Sequence, residues 1–378
     1  MKPRMKPYHC GTRLPGPAAS SDQTGEAAAG NVPRRPASAQ GVGAALAAIA
    51  VLHGLGSLAF AAVDPGAVRP PTAAARSPEA RAVAYLAGEV PRWSRENHCF
   101  SCHNNGDAAR ALYVASAAGL AVPDSALVDT TAWLIRPSGW NDNGGKAGVS
   151  DKRLARVAFA SSLATAIRTG HHRDRGVLQT AAIRLARDQD EDGSWRLDGE
   201  PSPGSPAAYG RSVATLLARE VLSTADPDRF RASIVRADAW LLRREPSAVA
   251  DASVVLMIPA PSTSRDGPKR RRQALDYLAR AQGEDGGWGP FATSPPETFD
   301  TALAMLGLAR SGDSSARVQR AIARGRAFLV EQQSDDGSWP ETTRPPGGTS
   351  YAQRLSTTGW ATLALLATRD RARQVRPQ

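Results

Sequence analysis

The residues best suited to chemistry lie in one short stretch, Cys99-Phe100-Ser101-Cys102-His103. Two thiols followed at once by an imidazole are the pattern of covalent haem c attachment: the thiols add to the two vinyl groups, and the histidine ligates the iron. The same residues allow a disulfide or redox pair in an oxidising compartment. With His98 they also allow a metal site, although four neighbouring residues rarely complete one tetrahedron. We expect haem c here, and the alternatives stay open.

A second group of candidates consists of polar residues around the starts of apolar helices. Glu297 and Asp300 flank the start of one such helix and are candidate general acids. The other candidates for ligand contact are Asp107, Arg211, Asp251, Tyr351, Arg354 and Trp360. One interpretation is a polar ring that orients a ligand. The alternative is that the acids cap helices and complement the helix dipole.

The elements that must position these residues show an internal repeat. Three copies of the phrase Gln-x-x-Asp-Gly-(Ser/Gly)-Trp begin at Gln189, Gln282 and Gln333. Each follows a stretch with apolar residues at spacings of three and four, and each precedes a more uniformly apolar stretch. Asp-Gly ends the first helix, because glycine accepts the left-handed conformation at a helix end. The pattern predicts pairs of an amphipathic outer helix and a buried inner helix.

Weaker copies fill the remaining chain, and together they predict six helix pairs at a period of about 45–50 residues. The composition agrees: 42% of the residues are hydrophobic but only 6% are aromatic, and alanine and leucine, which favour helices, dominate the apolar set. We therefore predict an all-α fold. A repeat count by itself fits a closed ring or a linear solenoid.

The Gln-x-x-Asp-Gly-x-Trp phrases resemble the QW motifs of squalene–hopene cyclases and oxidosqualene cyclases. Residues 78–370 resemble one α/α toroid of the terpenoid cyclase and protein prenyltransferase superfamily. The resemblance implies a single ring of about six helix pairs, with inner helices around a central apolar cavity and a functional mouth at their N-terminal ends. It also implies an isoprenoid-like or other apolar small molecule as the ligand.

The catalytic residues of that superfamily are incompletely matched. Squalene–hopene cyclases protonate an alkene with the middle aspartate of D-x-D-D-T-A, and this chain has Glu297-Thr298-Phe299-Asp300-Thr301-Ala302 there. Phe299 replaces the central acid, so a divergent cyclase or prenyltransferase-like enzyme would depend on Asp300 or Glu297. The chain also has no length for the second helical barrel of a two-domain cyclase. Outside the Cys99–Cys102 pair, the mature chain has no cysteine for a prenyltransferase-type zinc site.

The N-terminal segment predicts export. Residues 41–61 are an apolar run that ends in Ala59-Phe60-Ala61, the small-x-small pattern of a leader peptidase site. We therefore predict a signal peptide with a basic tail over 1–61, a linker over 62–77, the toroid over 78–370 and a tail over 371–378. The alternative is an uncleaved membrane anchor, since about 20 apolar residues span a bilayer. Either places the protein in the periplasm or cell envelope, where haem c is attached.

Three functional hypotheses follow. The first is an exported toroid with haem c that binds an apolar ligand or transfers electrons to a redox partner. The second is a divergent terpene cyclase that uses Asp300, and the third is a non-catalytic structural protein of the envelope. The net charge of +11 does not indicate a nucleic-acid partner, because no aromatic-studded basic stripe accompanies it.

Overall fold

The computed structural model describes residues 77–141, 151–197, 203–243, 245–259, 266–344 and 346–369. The predicted signal peptide, all but the last residue of the predicted linker, and the predicted C-terminal tail lie outside these ranges. Among the described helices, none is long and apolar enough to cross a membrane.

The described residues form twelve α-helices and no β-strand. The outer helices are α1 (Pro78–Asn97), α3 (Val128–Leu134), α5 (Arg175–Arg187), α7 (Arg231–Arg243), α9 (Gly267–Ala281) and α11 (Ala316–Glu331). The inner helices are α2 (Ala109–Ala117), α4 (Lys152–Arg168), α6 (Gly210–Ala225), α8 (Val249–Met257), α10 (Thr298–Arg310) and α12 (Tyr351–Ala367). A π-helical segment, Cys102–Ala108, runs directly into α2. The predicted all-α fold of six helix pairs is confirmed.

Burial separates the two layers as the apolar pattern predicts. Outer helix α9 buries one stripe that includes Ala274, Leu278 and Ala281, and its Arg272 and Arg280 are exposed. Inner helix α10, by contrast, is buried on almost every side. A helix that is apolar all round must be covered on all faces, and the outer layer supplies that cover.

The ring is closed by contacts between its last and first repeats. Gln333 Nε2 donates to the carbonyl oxygen of Pro78 at 3.0 Å. Arg326 Nη2 lies 2.7 Å from Glu79 Oε1 in a largely buried ion pair. On the inside, α12 packs against the π-helical segment of the first repeat. These contacts join the chain's ends into a toroid and exclude the linear solenoid.

Each of the three repeated phrases makes the same set of hydrogen bonds. The glutamine amide donates to a carbonyl in the first two turns of the next outer helix: Gln189 to Ser233, Gln282 to Ala321 and Gln333 to Pro78. These carbonyls lie near the N-termini of the outer helices α7, α11 and α1. Each phrase therefore joins one outer helix to the next.

The tryptophan of each phrase is fully buried and fixes the end of its own outer helix. The indole N–H donates to a backbone carbonyl ten residues earlier, over 2.7–2.9 Å: Trp195 to Leu185, Trp288 to Leu278 and Trp339 to Leu329. The tryptophans thus seal the hydrophobic layer between the outer and inner helices, as predicted.

Candidate functional site at the mouth of the ring

The C-x-x-C-H stretch makes the turn from the first outer helix to the first inner helix. His98 ends α1 with a left-handed backbone at φ 52°. The Ser101 hydroxyl accepts a hydrogen bond from the His103 amide at 3.1 Å, and Asn105 Oδ1 accepts from the Ser101 amide at 2.9 Å. These bonds start the π-helical segment at Cys102, so the stretch lies at the N-terminal ends of the inner helices.

The Cys102 thiol and the His103 imidazole are close together and uncharged. Neither cysteine forms a disulfide: Cys99 is 1% exposed, whereas Cys102 is partly exposed. Cys102 Sγ lies 3.5 Å from His103 Nε2. Burial, with the nearby charge of Asp107, raises the pKa of the Cys102 thiol to about 12, and burial lowers the pKa of His103 to about 4. A neutral imidazole can ligate a metal, but so weakly acidic a thiol is a poor nucleophile.

His103 is connected to the last inner helix and to the chain before α6. Ser356 Oγ lies 3.3 Å from His103 Nδ1 and donates to Asp107 Oδ2 at 2.8 Å. The Tyr209 hydroxyl donates to Asp107 Oδ1 at 2.7 Å. Burial raises the pKa of Asp107 to about 6, against the opposing effects of Arg110 and of these hydrogen bonds. The motif and the entrances of the inner helices therefore share one side of the ring.

The centre of the ring beside this cluster is filled by aromatic side chains. Trp360 is 3% exposed, and the guanidinium carbon of Arg110 lies 4.2 Å from its ring centroid. The rings of Tyr209 and Phe299 meet Trp360 edge to face, with centroids at 6.1 Å and 5.7 Å. Trp360 thus faces the ring interior. At this level the described side chains pack against one another and do not line the open cavity that the resemblance implied.

Glu297 and Asp300 form a separate site around Arg344. Arg344 Nη1 pairs with Glu297 Oε2, and its Nη2 lies 2.7 Å from Asp300 Oδ2. Burial raises the pKa of Asp300 to about 7, with Arg344 opposing this effect and Glu297 adding to it. Neither carboxylate forms a hydrogen bond with the described residues around His103. The position of the central cyclase acid is occupied by Phe299, which packs against Trp360.

The raised pKa of Asp300 makes a pH-dependent contribution to stability. From its ordinary value of 3.8 up to about 7, the unfolded chain ionises this carboxyl while the folded chain keeps the proton. Over that window the free energy of unfolding should fall with rising pH by on the order of 2–4 kcal/mol more in the wild type than in Asp300→Asn. Urea denaturation at several pH values measures this difference. Parallel pH profiles for the two proteins would contradict it.

The remaining predicted ligand contacts are spread over the rim. Arg211 Nε donates to Ser194 Oγ and Arg354 Nη2 to Ser338 Oγ, both at 2.7 Å, so these arginines brace repeated phrases. Asp251 accepts hydrogen bonds from the hydroxyl of Ser212, in the first turn of α6, and from the hydroxyl of Ser247, just before α8. None of these three residues contacts the His103 cluster directly.

Tyr351 is closer to the motif. Its hydroxyl donates to Glu89 Oε2 and accepts from Asn104 Nδ2, both at 2.9 Å, and its ring stacks on Trp93. Tyr351 therefore ties the last inner helix to the first repeat next to the C-x-x-C-H turn. Of the predicted ligand contacts, the structure brings only Asp107, Trp360 and Tyr351 into this region.

The zinc alternative gains no support from the geometry. Among the described side chains, no group of three or more histidine, cysteine, aspartate and glutamate residues is arranged to hold a metal ion. Haem attachment does not require such a group, because two thioether bonds hold the macrocycle and one imidazole ligates the iron.

Known proteins share this architecture. Residues 237–376 match the model of the squalene-hopene cyclase C-terminal domain. The predicted resemblance to squalene–hopene cyclases is confirmed.

A drimenyl diphosphate synthase of Streptomyces showdoensis is 30% identical over 151 residues, which are 35% of this chain and 28% of that protein. The squalene–hopene cyclase of Bradyrhizobium diazoefficiens is 36% identical over 81 residues, 18% of this chain and 12% of that enzyme. The matches thus span less than a third of these curated relatives.

A solved structure extends the likeness to most of the ring. A variant of the type II terpene cyclase MstE from Scytonema, in complex with geranylgeranyl dihydroxybenzoate, aligns with a TM-score of 0.50 at 15% identity. The alignment covers 78% of this chain and 99% of that chain. At this identity the likeness establishes the fold alone.

Proposed function

We propose that this chain is an exported, terpene-cyclase-like toroid that carries haem c at the mouth of its ring and transfers electrons to a redox partner. The observation that carries the proposal is the placement of Cys99, Cys102 and His103 in the turn that opens the first inner helix. The predicted signal peptide supports it, because haem c is attached outside the cytoplasm.

The donor groups of this turn fit haem c. Neither Cys99 nor Cys102 is in a disulfide, so the two thiols would supply the thioether bonds, and His103 is in the neutral form that ligates iron. Ser356 lies beside Nδ1 of His103, and Nε2 is the ring nitrogen nearer to the Cys102 sulfur. Because Nδ1 has this oxygen beside it, Nε2 would be the nitrogen that holds the iron. The packed aromatic centre excludes the ring interior as the place of the macrocycle.

The residues around His103 would hold its imidazole in one orientation. Metal-bound histidines commonly use their second nitrogen to bond a neighbouring oxygen, which fixes the ring and raises its basicity. Here Ser356 supplies that oxygen, and its own hydroxyl proton goes to Asp107, which Tyr209 also holds. The bound haem supplies one-electron redox chemistry, and this buried chain of hydrogen bonds keeps its protein ligand fixed.

The test is production of the full chain in a host with a working cytochrome c maturation system. We expect a Soret band that stays with the polypeptide after acid–acetone extraction. Cys99→Ser/Cys102→Ser should lose all colour, and His103→Asn should change the spectrum of the iron. The matched variant His98→Asn changes a neighbouring histidine outside the motif and should keep the wild-type spectrum. A colourless wild-type protein refutes the proposal.

A divergent terpene cyclase is the second candidate. The matched cyclase segment contains Asp300, whose raised pKa keeps a proton on the carboxyl close to neutral pH. Incubation with squalene or geranylgeranyl diphosphate should then give a cyclic product that Asp300→Asn abolishes. A structural envelope protein would show neither haem nor product.

A further inference from the structure

A cleft of about 250 Å³ opens at the rim of the mouth, between the fifth and sixth helix pairs. Its walls come from the start of α10, the last turn of outer helix α11 and the chain between α11 and α12. Because an outer helix forms one wall, the cleft lies in the rim and not at the centre of the ring. It has room for one small molecule.

Thr298 gives this cleft a polar group without a partner. It is the first residue of α10, it lines the cleft, and it is only 7% exposed. Its hydroxyl forms no hydrogen bond with any described residue. A buried polar group left unpaired costs about 1–3 kcal/mol, so most such groups are paired. The Thr298 hydroxyl therefore points to a partner from outside the chain.

The corresponding hydroxyl of α6 is paired. Thr215 and Thr301 occupy the same register, because each accepts a hydrogen bond from the backbone amide of the tryptophan in the phrase before it. Three residues before Thr215, the Ser212 hydroxyl donates to Asp251 Oδ1 at 2.6 Å. Three residues before Thr301 lies Thr298, and no neighbouring described residue supplies the oxygen. A ligand oxygen can take that place.

Two carboxylates line the same cleft with oxygens to spare. Glu297 Oε2 pairs with Arg344, whereas its Oε1 has no partner in the described part of the chain. Glu341 Oε1 accepts from the Ser350 amide at 3.3 Å, and its Oε2 accepts from no described residue. The Gln332 side-chain amide, also in the wall, is likewise unbound to described residues. The cleft thus offers both acceptors and donors.

The rest of the wall is mostly apolar and carries no positive charge. Phe328, Pro296 and Pro340 present C–H surface, and the described residues that line the cleft include no lysine or arginine. An ammonium group has donors only, so it would leave the donors of Thr298 and Gln332 unused. A ring with several hydroxyl groups has donors and acceptors, and its C–H faces suit the apolar wall.

We infer that this cleft binds a sugar ring. Its hydroxyl groups donate to the carboxylates of Glu297 and Glu341, and one of its oxygens accepts from the Thr298 hydroxyl. The cleft shares no lining residue with the C-x-x-C-H turn, so the inference does not depend on haem.

The test uses the exported full chain and saturation-transfer NMR with glucose, galactose, mannose and N-acetylglucosamine. At least one sugar should bind with a dissociation constant in the millimolar range. Glu341→Gln should weaken that binding about tenfold or more, because it removes a hydrogen bond to a charged group. Thr298→Val should weaken it about fivefold and leave the urea midpoint of the protein unchanged or higher, because the lost hydroxyl has no partner within the chain.

The matched variant is Glu331→Gln. Glu331 is an exposed acid at the end of α11, close to the cleft in sequence but outside its lining, so this variant should bind the sugar as the wild type does. Failure of every one of these sugars to bind overturns the inference. Binding of n-butylammonium in their place also overturns it, since the cleft would then be a cation site, and so does an equal loss with Glu331→Gln and Glu341→Gln.

Discussion

Replacing Gly337 with alanine should lower the free energy of unfolding by about 3 kcal/mol or more. Gly337 belongs to the third repeated phrase and has φ +90°, a backbone conformation that costs other residues energy. In addition, an added Cβ would lie 2.4 Å from the carbonyl oxygen of Arg81 in α1. The methyl group would therefore force apart the last and first repeats where the ring closes. Urea denaturation followed by circular dichroism measures the loss.

Gly347→Ala is the matched control, because Gly347 has φ +86° but no atom of the described residues lies within 4 Å of the added Cβ. That substitution should cost only the conformational energy, about 1 kcal/mol. The difference between the two variants isolates the close approach at the closure. Equal losses would show that the last repeat does not pack on α1 as described.

Replacing Glu79 with leucine should cost about 3 kcal/mol. The Glu79 side chain is 4% exposed and pairs with Arg326, so the variant leaves a largely buried arginine without its anion. Arg326 also donates to the Leu365 carbonyl and to Thr368, which holds it in place. The loss should appear as a lower urea midpoint with an unchanged slope.

Glu96→Gln is the comparison for that prediction. Glu96 also pairs with an arginine, Arg92, at 2.9 Å, but its side chain is 60% exposed. Exposed pairs contribute about 0–1 kcal/mol, so this variant should be close to the wild type. If Glu79→Leu is equally mild, the ring is not closed by a buried ion pair.

The architecture could be predicted from the sequence because each repeat carries a local pattern that indicates one outer and one inner helix. The phrases that begin at Gln189, Gln282 and Gln333 each place an amide and a buried tryptophan just after an outer helix, and the alternation of amphipathic and apolar stretches assigns the layers. The prediction that Asp-Gly ends these helices was wrong, because they end at Arg187, Ala281 and Glu331, before the Asp-Gly pair.

The closure of the ring could not be predicted from a local pattern. The residues that make it, Glu79 and Arg326, are separated by most of the chain and form an ordinary ion pair. Only the resemblance to toroidal proteins pointed to a ring.

The site was predicted in part. The C-x-x-C-H motif is contiguous in sequence, so its position followed from the repeat register. Arg110, Tyr209 and Ser356 were missed because their roles depend on contacts across the ring between residues about 100 or more positions apart. Arg211 and Arg354 were chosen for their place before inner helices, but their nearest acceptors lie in the repeated phrases, and they bond there instead.

Glu297 and Asp300 show the same limit of sequence reasoning. Their spacing marked a degenerate cyclase motif, but nothing in it indicated that Arg344, from the loop before α12, would bind both carboxylates. A loop residue supplied from a different repeat can pair with a candidate catalytic acid without leaving any local pattern.

Intact mass spectrometry of the exported wild-type protein tests the central claim most directly. Covalent haem at Cys99 and Cys102 predicts a mass about 616 Da above that of the processed chain, located in the peptide that contains His103. The matched serine variant of both cysteines should show the processed chain alone. A wild-type protein with only the mass of its own residues, made under conditions that mature other c-type cytochromes, would contradict the account.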